Sequence, residues 1–169
     1  MTGEFAKLKA LLASATREHY QRYRALHPGE EYYGYSLFTD DTVSSIGPAA
    51  TVGSALKPSR SNLQDAYYRY GAHEWNDFDD FGLFAEANKR LKALHGMLEY
   101  PLFRQQSLEA ALQALQELEA DGLFGPRSDD RFVALWVVDS NDPITDRSAK
   151  ELNSPAVFAA YSSEYLRGI

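Results

Sequence analysis

The sequence predicts an α+β fold, a mainly antiparallel sheet covered by helices, as a single domain over residues 1–169. Three observations carry that expectation. Segments of helical and strand periodicity follow one another as helix, hairpin, loop, strand, two helices, strand and helix, without the regular alternation of a parallel α/β sheet. Hydrophobic residues make up 44% of the 169, enough for one core and too few for two well-formed ones. The chain has 11 Gly, 7 Pro and no Cys, which excludes collagen-like repeats, disorder and a disulfide scaffold.

The first helix is amphipathic: Phe5, Leu8, Leu12, Ala15, His19, Tyr23 and Leu26 recur at three and four residues. Thr2 is its expected cap and His27-Pro28-Gly29 its stop. A strand is expected from Glu31 to Thr39, with Tyr33, Tyr35 and Leu37 on one face. Asp40-Asp41 turns it, Thr42 to Ile46 returns, and Gly47-Pro48 ends the hairpin. Ala49 to Asn62, with Gly53 and Pro58, reads as loop with one helical turn at Gly53 to Leu56. Ala66 to Tyr70 reads as a strand, which GAHEWNDFDDF breaks. Phe81, Phe84, Asn88, Leu91, Leu94 and Leu98 mark a second helix, with Asp77, Asp79 and Asp80 complementing its dipole. Tyr100-Pro101 makes a corner, and Leu108, Leu112, Leu115 and Leu118 stripe a third helix that stops at Asp121-Gly122. Phe132 to Val138 is apolar on both faces, as in the middle of a covered sheet. A turn-rich loop from Asp139 to Arg147, a break at Asn153-Ser154-Pro155 and a last helix through Val157, Phe158, Tyr161, Tyr165 and Leu166 complete the chain.

The formal net charge is −7, spread along the chain with no run of five like charges. Without clustered Lys and Arg, nucleic acid is excluded as a partner. The N-terminal twenty residues lack a signal-peptide pattern, and no apolar stretch approaches a membrane span, so a cytoplasmic location off the membrane is expected. No GxSxG, HExxH, GxGxxG or Walker loop occurs, so no catalytic residue, metal or cofactor is assigned. His19 and His95 lie on or beside apolar stripes, where a structural histidine is the ordinary case.

Polar chemistry concentrates at His73, Glu74, Asp77, Asp79 and Asp80, where His73 and Asp77 would share a face if the segment were helical. Tyrosine is abundant, with 11 residues including Tyr67, Tyr68 and Tyr70 just before those acids. Aromatic residues beside carboxylates suit a protein interface, so Glu74, Asp77, Asp79, Asp80, Tyr68 and Tyr70 are the candidate partner-binding residues.

YYGYSLFTDD (Tyr32 to Asp41), SSIGPAAT (Ser44 to Thr51), YYRYGAHEW (Tyr67 to Trp75) and SAKELNSP (Ser148 to Pro155) together resemble a bacterial family, the domain of unknown function numbered 4303, over nearly the whole chain. The resemblance implies no reaction and carries over no functional residue. It implies a context, that of immunity proteins encoded beside a toxin. The expected function is a non-enzymatic protein that occludes the basic active site of a toxin domain with an acidic, tyrosine-bearing surface. The alternative is a small-ligand-binding protein or enzyme with a His/carboxylate pocket around His73.

Overall fold

The computed structural model describes residues 3–56 and 61–166. Thr2 and Pro58 lie outside them. The elements are α1 (Gly3–Leu26), β1 (Tyr32–Asp40), β2 (Ile46–Val52), α2 (Asn62–Tyr70), α3 (Ala85–His95), α4 (Tyr100–Ala120), β3 (Phe132–Val138), α5 (Pro143–Leu152) and α6 (Pro155–Ala160). Short 3-10 turns follow β2 and α2, and a π-helical turn, Tyr161–Tyr165, extends α6. No helix among the described residues is long and apolar enough to cross a membrane.

The fold is α+β, but the sheet is mixed rather than mainly antiparallel. Its order is β2-β1-β3, with β1–β2 antiparallel and β1–β3 parallel. The expected strand at Ala66 to Tyr70 is instead the end of α2. Ser61 caps that helix by accepting from the Gln64 N–H at 3.2 Å, and Ala66 and Tyr70, four apart, supply its buried face. Helical burial at that spacing overrides the β-preference of the tyrosines. The connection from β2 to β3 therefore runs through α2, α3 and α4 as a long crossover, which returns β3 parallel to β1.

Strand β2 also runs later than expected and contains Gly47-Pro48. The Ile46 and Ala50 N–H groups both point away from β1, to the Asn88 Oδ1 at 2.8 Å and the Asp77 carbonyl at 2.9 Å. Pro48, midway between them, falls where the strand has no need of a donor toward β1. A bulge between Tyr32 and Gly34 puts Tyr33 on the opposite face from Tyr35 and Leu37. At Gly34 a Cβ would lie 2.7 Å from the Trp75 ring, so that indole seats directly on β1 backbone.

Alternating residues of the sheet feed two cores. Tyr35, Leu37, Val133, Leu135 and Val137 face α1, α3 and α4; Tyr33, Phe132, Ala134 and Trp136 face α2, α5, α6 and the π turn. The expectation that β3 is buried on both faces holds, yet β3 is an edge strand. Its outer edge is covered by α5, which begins at Pro143 inside the expected loop. The Val133, Leu135 and Val137 N–H groups donate to Asn153 Oδ1 (2.8 Å), Ser148 Oγ (2.8 Å) and Thr145 Oγ1 (3.3 Å). The Asn153 amide also donates to the Val133 carbonyl at 2.7 Å. Asn88 does the same for Ile46 on the other edge, its Nδ2 reaching the Ile46 carbonyl at 3.0 Å. Both ends of the SAKELNSP motif thus serve one strand.

Replacing Asn153 with Leu strands the buried amide and carbonyl of Val133. We expect a loss of about 3 kcal/mol, since each unsatisfied buried group costs roughly 1–3 kcal/mol. Denaturant unfolding measures it, and an unchanged midpoint would contradict the edge-closing role.

Candidate functional site

Residues 76–84 connect the 3-10 turn at Ala72–Glu74 to α3, and their composition dictates their shape. Asp side chains bond readily to backbone N–H groups two residues on. Here Asp77 Oδ1 accepts from Asp79 N–H (3.1 Å), Asp79 Oδ1 from Phe81 N–H (2.9 Å) and Asp80 Oδ1 from Gly82 N–H (2.7 Å). The three overlapping turns carry Phe81 and Gly82 into the left-handed region, at φ +51° and +71°.

Neighbouring elements hold the loop at several points. The Ala50 N–H donates to the Asp77 carbonyl at 2.9 Å, and the Asn76 amide donates to the Ala55 carbonyl at 2.9 Å. From α1, buried His19 places Nε2 2.9 Å from the Asp79 carbonyl and stacks its ring on Phe81, with centroids 5.2 Å apart. A carbonyl only accepts, so Nε2 carries the proton and Nδ1 accepts from the Tyr35 hydroxyl at 3.0 Å. Burial holds the imidazole pKa below its ordinary value, although the Asp79 carbonyl and the nearby Asp77, Asp80 and Asp79 carboxylates pull the other way. His19 is a neutral structural rivet under the loop.

The candidate residues separate accordingly. Asp79 is exposed, and Asp77 and Asp80 are half-buried. No Lys or Arg among the described residues forms an ion pair with these three, and the sequence from Tyr70 to Asn88 contains neither residue type. Glu74 is half-buried, its Oε1 3.9 Å from His73 Nε2. Tyr68, on α2, takes a hydrogen bond from the Gln64 amide at 3.0 Å. Tyr70 is buried, packed edgewise on Phe132 and Tyr161, and so belongs to the core rather than the surface. The segment that carries it is helical rather than the expected strand, and Tyr70 falls on the buried face of that helix. The aromatic group the loop does expose is Phe78, 43% accessible between Asp77 and Asp79 with one edge against Phe38. A phenylalanine inside an acidic, turn-forming run was the available signal.

His73 and Asp77 do not share a helix face: His73 sits in the 3-10 turn and Asp77 beyond it, bridged to Ala50. His73 Nε2 lies 2.8 Å from the Tyr67 hydroxyl and its ring rests on Trp136, with centroids 5.6 Å apart. Among the described residues no three His, Asp or Glu side chains converge as a metal site would require.

A second polar centre lies at the C-terminal ends of the parallel pair β1 and β3. Arg104 of α4 donates through Nε to the Asp41 carbonyl (2.9 Å), through one terminal nitrogen to the Asp41 carboxylate (2.8 Å) and through the other to Asp142. Asp142 in turn caps α5, accepting from the Ile144 N–H at 2.8 Å. Two clefts open beside this knot. One of about 540 Å³ lies between α4 and α5, and one of about 180 Å³ lies between α5, β3 and the π turn.

A three-stranded mixed sheet, helices on both faces and an asparagine clip on each edge define the architecture as a helix-covered α+β domain. The chain belongs to the family described as a domain of unknown function (DUF4303), whose model matches residues 12–154. No curated protein and no solved structure matches it. The matched span runs from the middle of α1 to the Ser154 cap of α6, and so includes both clips and the whole acidic loop.

The folded chain keeps His19 neutral, whereas the unfolded imidazole titrates near 6.5. Stability from this site is therefore complete above that pH and declines as the pH falls below it, by at most about 1.4 kcal/mol per pH unit. Urea titrations between neutral pH and about pH 5 should show this decline, and His19→Gln should remove it.

Proposed function

We propose that the chain is a non-enzymatic cytoplasmic binding protein of the bacterial immunity type, which neutralises a toxin by covering its basic active-site cleft. The observation that carries this reading is the loop at 76–82, where an exposed phenylalanine stands among carboxylates that no described cation neutralises. Fixed hydrogen bonds set the backbone of that loop before any partner arrives, so little conformational entropy remains to be lost on binding. The carboxylates steer a basic partner and raise the association rate, while Phe78 supplies the desolvated anchor that slows release. Asp77, Asp79 and Asp80 form the contact surface, with Glu74 and Tyr68 as the further contact candidates; Phe78 replaces Tyr70 as the aromatic anchor.

The test is binding to the toxin domain encoded beside this gene, followed by kinetics. Asp→Asn at 77, 79 and 80 keeps each Oδ1 acceptor and removes the charge, so it should leave the thermal midpoint unchanged. The association rate should fall by roughly tenfold or more at low salt and lose most of its salt dependence. Phe78→Ala should weaken the complex by about 2 kcal/mol, roughly thirtyfold, chiefly through faster dissociation. Absence of a complex at low salt, or indifference to both changes, sinks the reading.

A further inference from the structure

We propose that the cleft between the end of β3, the start of α5 and the π turn is a binding site for an organic cation, an alkylammonium or guanidinium group. It does not rest on the acidic loop reading. The cleft has a volume of about 180 Å³. Sites for drug-sized ligands span about 300–1,000 Å³, so this one admits a group of a few heavy atoms.

The charge of its lining points one way. Asp142 and Asp146 line the cleft and none of the lining residues is a cation. Asp142 is already matched, by Arg104 and by the N–H it caps at the start of α5. Asp146 is not: among the described residues it takes one hydrogen bond, from the Tyr161 hydroxyl at 2.7 Å, and forms no ion pair. Burial, with Asp146 beside it, raises the Tyr161 pKa, so that hydroxyl remains the donor to Asp146. A negative charge in a cleft this small favours an occupant that brings a positive one.

The remaining walls suit the same occupant. Trp136 and Tyr165 meet edge to face at 5.6 Å, and Tyr165 stacks on Tyr161 at 5.6 Å. Aromatic rings beside a carboxylate are the surroundings in which alkylammonium and guanidinium groups are held. Ser140 and Asn141 add side-chain oxygens that accept the N–H groups of such a cation. Tyr161 and Tyr165 reach this cleft through the π-helical turn, a conformation that is rare and recurs at functional sites. The cleft also lies at the carboxyl end of a parallel strand pair, where ligands of open sheets containing parallel strands gather.

The experiment is a titration of the full chain followed by the Trp136 indole N–H signal in nitrogen-15 NMR spectra. The probes are n-butylammonium and methylguanidinium, with 1-butanol as the neutral counterpart. Saturable shifts with either cation, and none with 1-butanol, are expected. Asp146→Asn should weaken binding at least roughly tenfold. Asn141→Leu, at an exposed position that does not test the core, should block the cleft. A capped Gly-Lys-Gly peptide that binds more tightly than n-butylammonium would identify the ligand as a side chain of a protein partner. A peptide that binds no better would identify a free amine. An equal response to 1-butanol, no saturable response to either cation, or undiminished binding by both variants overturns the assignment.

Discussion

The closing of the β3 edge by α5 is the interaction on which the rest of the structure depends. A three-stranded sheet has two edges for one interior strand, so most of its outward amides need partners from elsewhere. Thr145, Ser148 and Asn153 supply them to alternate residues of β3. Because these acceptors are side chains of one helix and its cap, α5 is fixed in rotation and in register against the strand. That registration sets where Asp142 falls, and Asp142 orients Arg104, which reaches back to Asp41 at the turn after β1. Asn88 repeats the device on β2 and so fixes the start of α3, from which the acidic loop is hung. Both candidate sites are consequences of edge closure.

Backbone strain collects in the loops, two of which bear those sites. Val43, Phe81 and Asp139 have φ of +53°, +51° and +55°, a region disfavoured for side chains with Cβ. Each costs on the order of 1–3 kcal/mol and persists only where surroundings over-determine it. For Val43 these are burial and the Asp40 carboxylate, which takes the Thr42 hydroxyl at 2.7 Å and the Ser44 N–H at 3.0 Å. For Phe81 they are the His19 stack and the Asp79 acceptor. Asp139 opens the short link to the Asp142 cap. Strain held in this way makes a loop stiff, because each constraint excludes the relaxed alternatives.

Much of this was legible in the residues, for physical reasons that also mark where legibility stops. The stripes of α1 and α4 and the apolar run of β3 declare themselves, since burial on a fixed period is recorded in composition. The α2 segment misleads because AYYRY has strand preference locally and helical burial globally, and only the packing of Ala66 and Tyr70 decides between them. The parallel pairing of β1 with β3 depends on that decision and could not be read without it. In the acidic loop, the carboxylates were visible but their work was not: one oxygen of each serves the chain's own backbone. Asn88 and Asn153 look like ordinary polar residues of helical segments, and their role exists only once a strand edge lies opposite.

Closed edges limit how this fold can recognise another molecule. A peptide cannot add to the outer donors of β3, because Val133, Leu135 and Val137 are already engaged. On β2 the Ile46 and Ala50 donors are taken and Pro48 offers none. Main-chain pairing, the least selective mode of recognition, is therefore closed, and affinity has to come from side chains presented by loops. At 76–82 the same Asp residues that shape the loop also charge it: one carboxylate oxygen secures the backbone, and the net charge of the group remains available to a partner. Shape and electrostatic field are thereby set by the same atoms. A substitution that keeps the amide geometry separates the two, whereas one that removes the side chain destroys both.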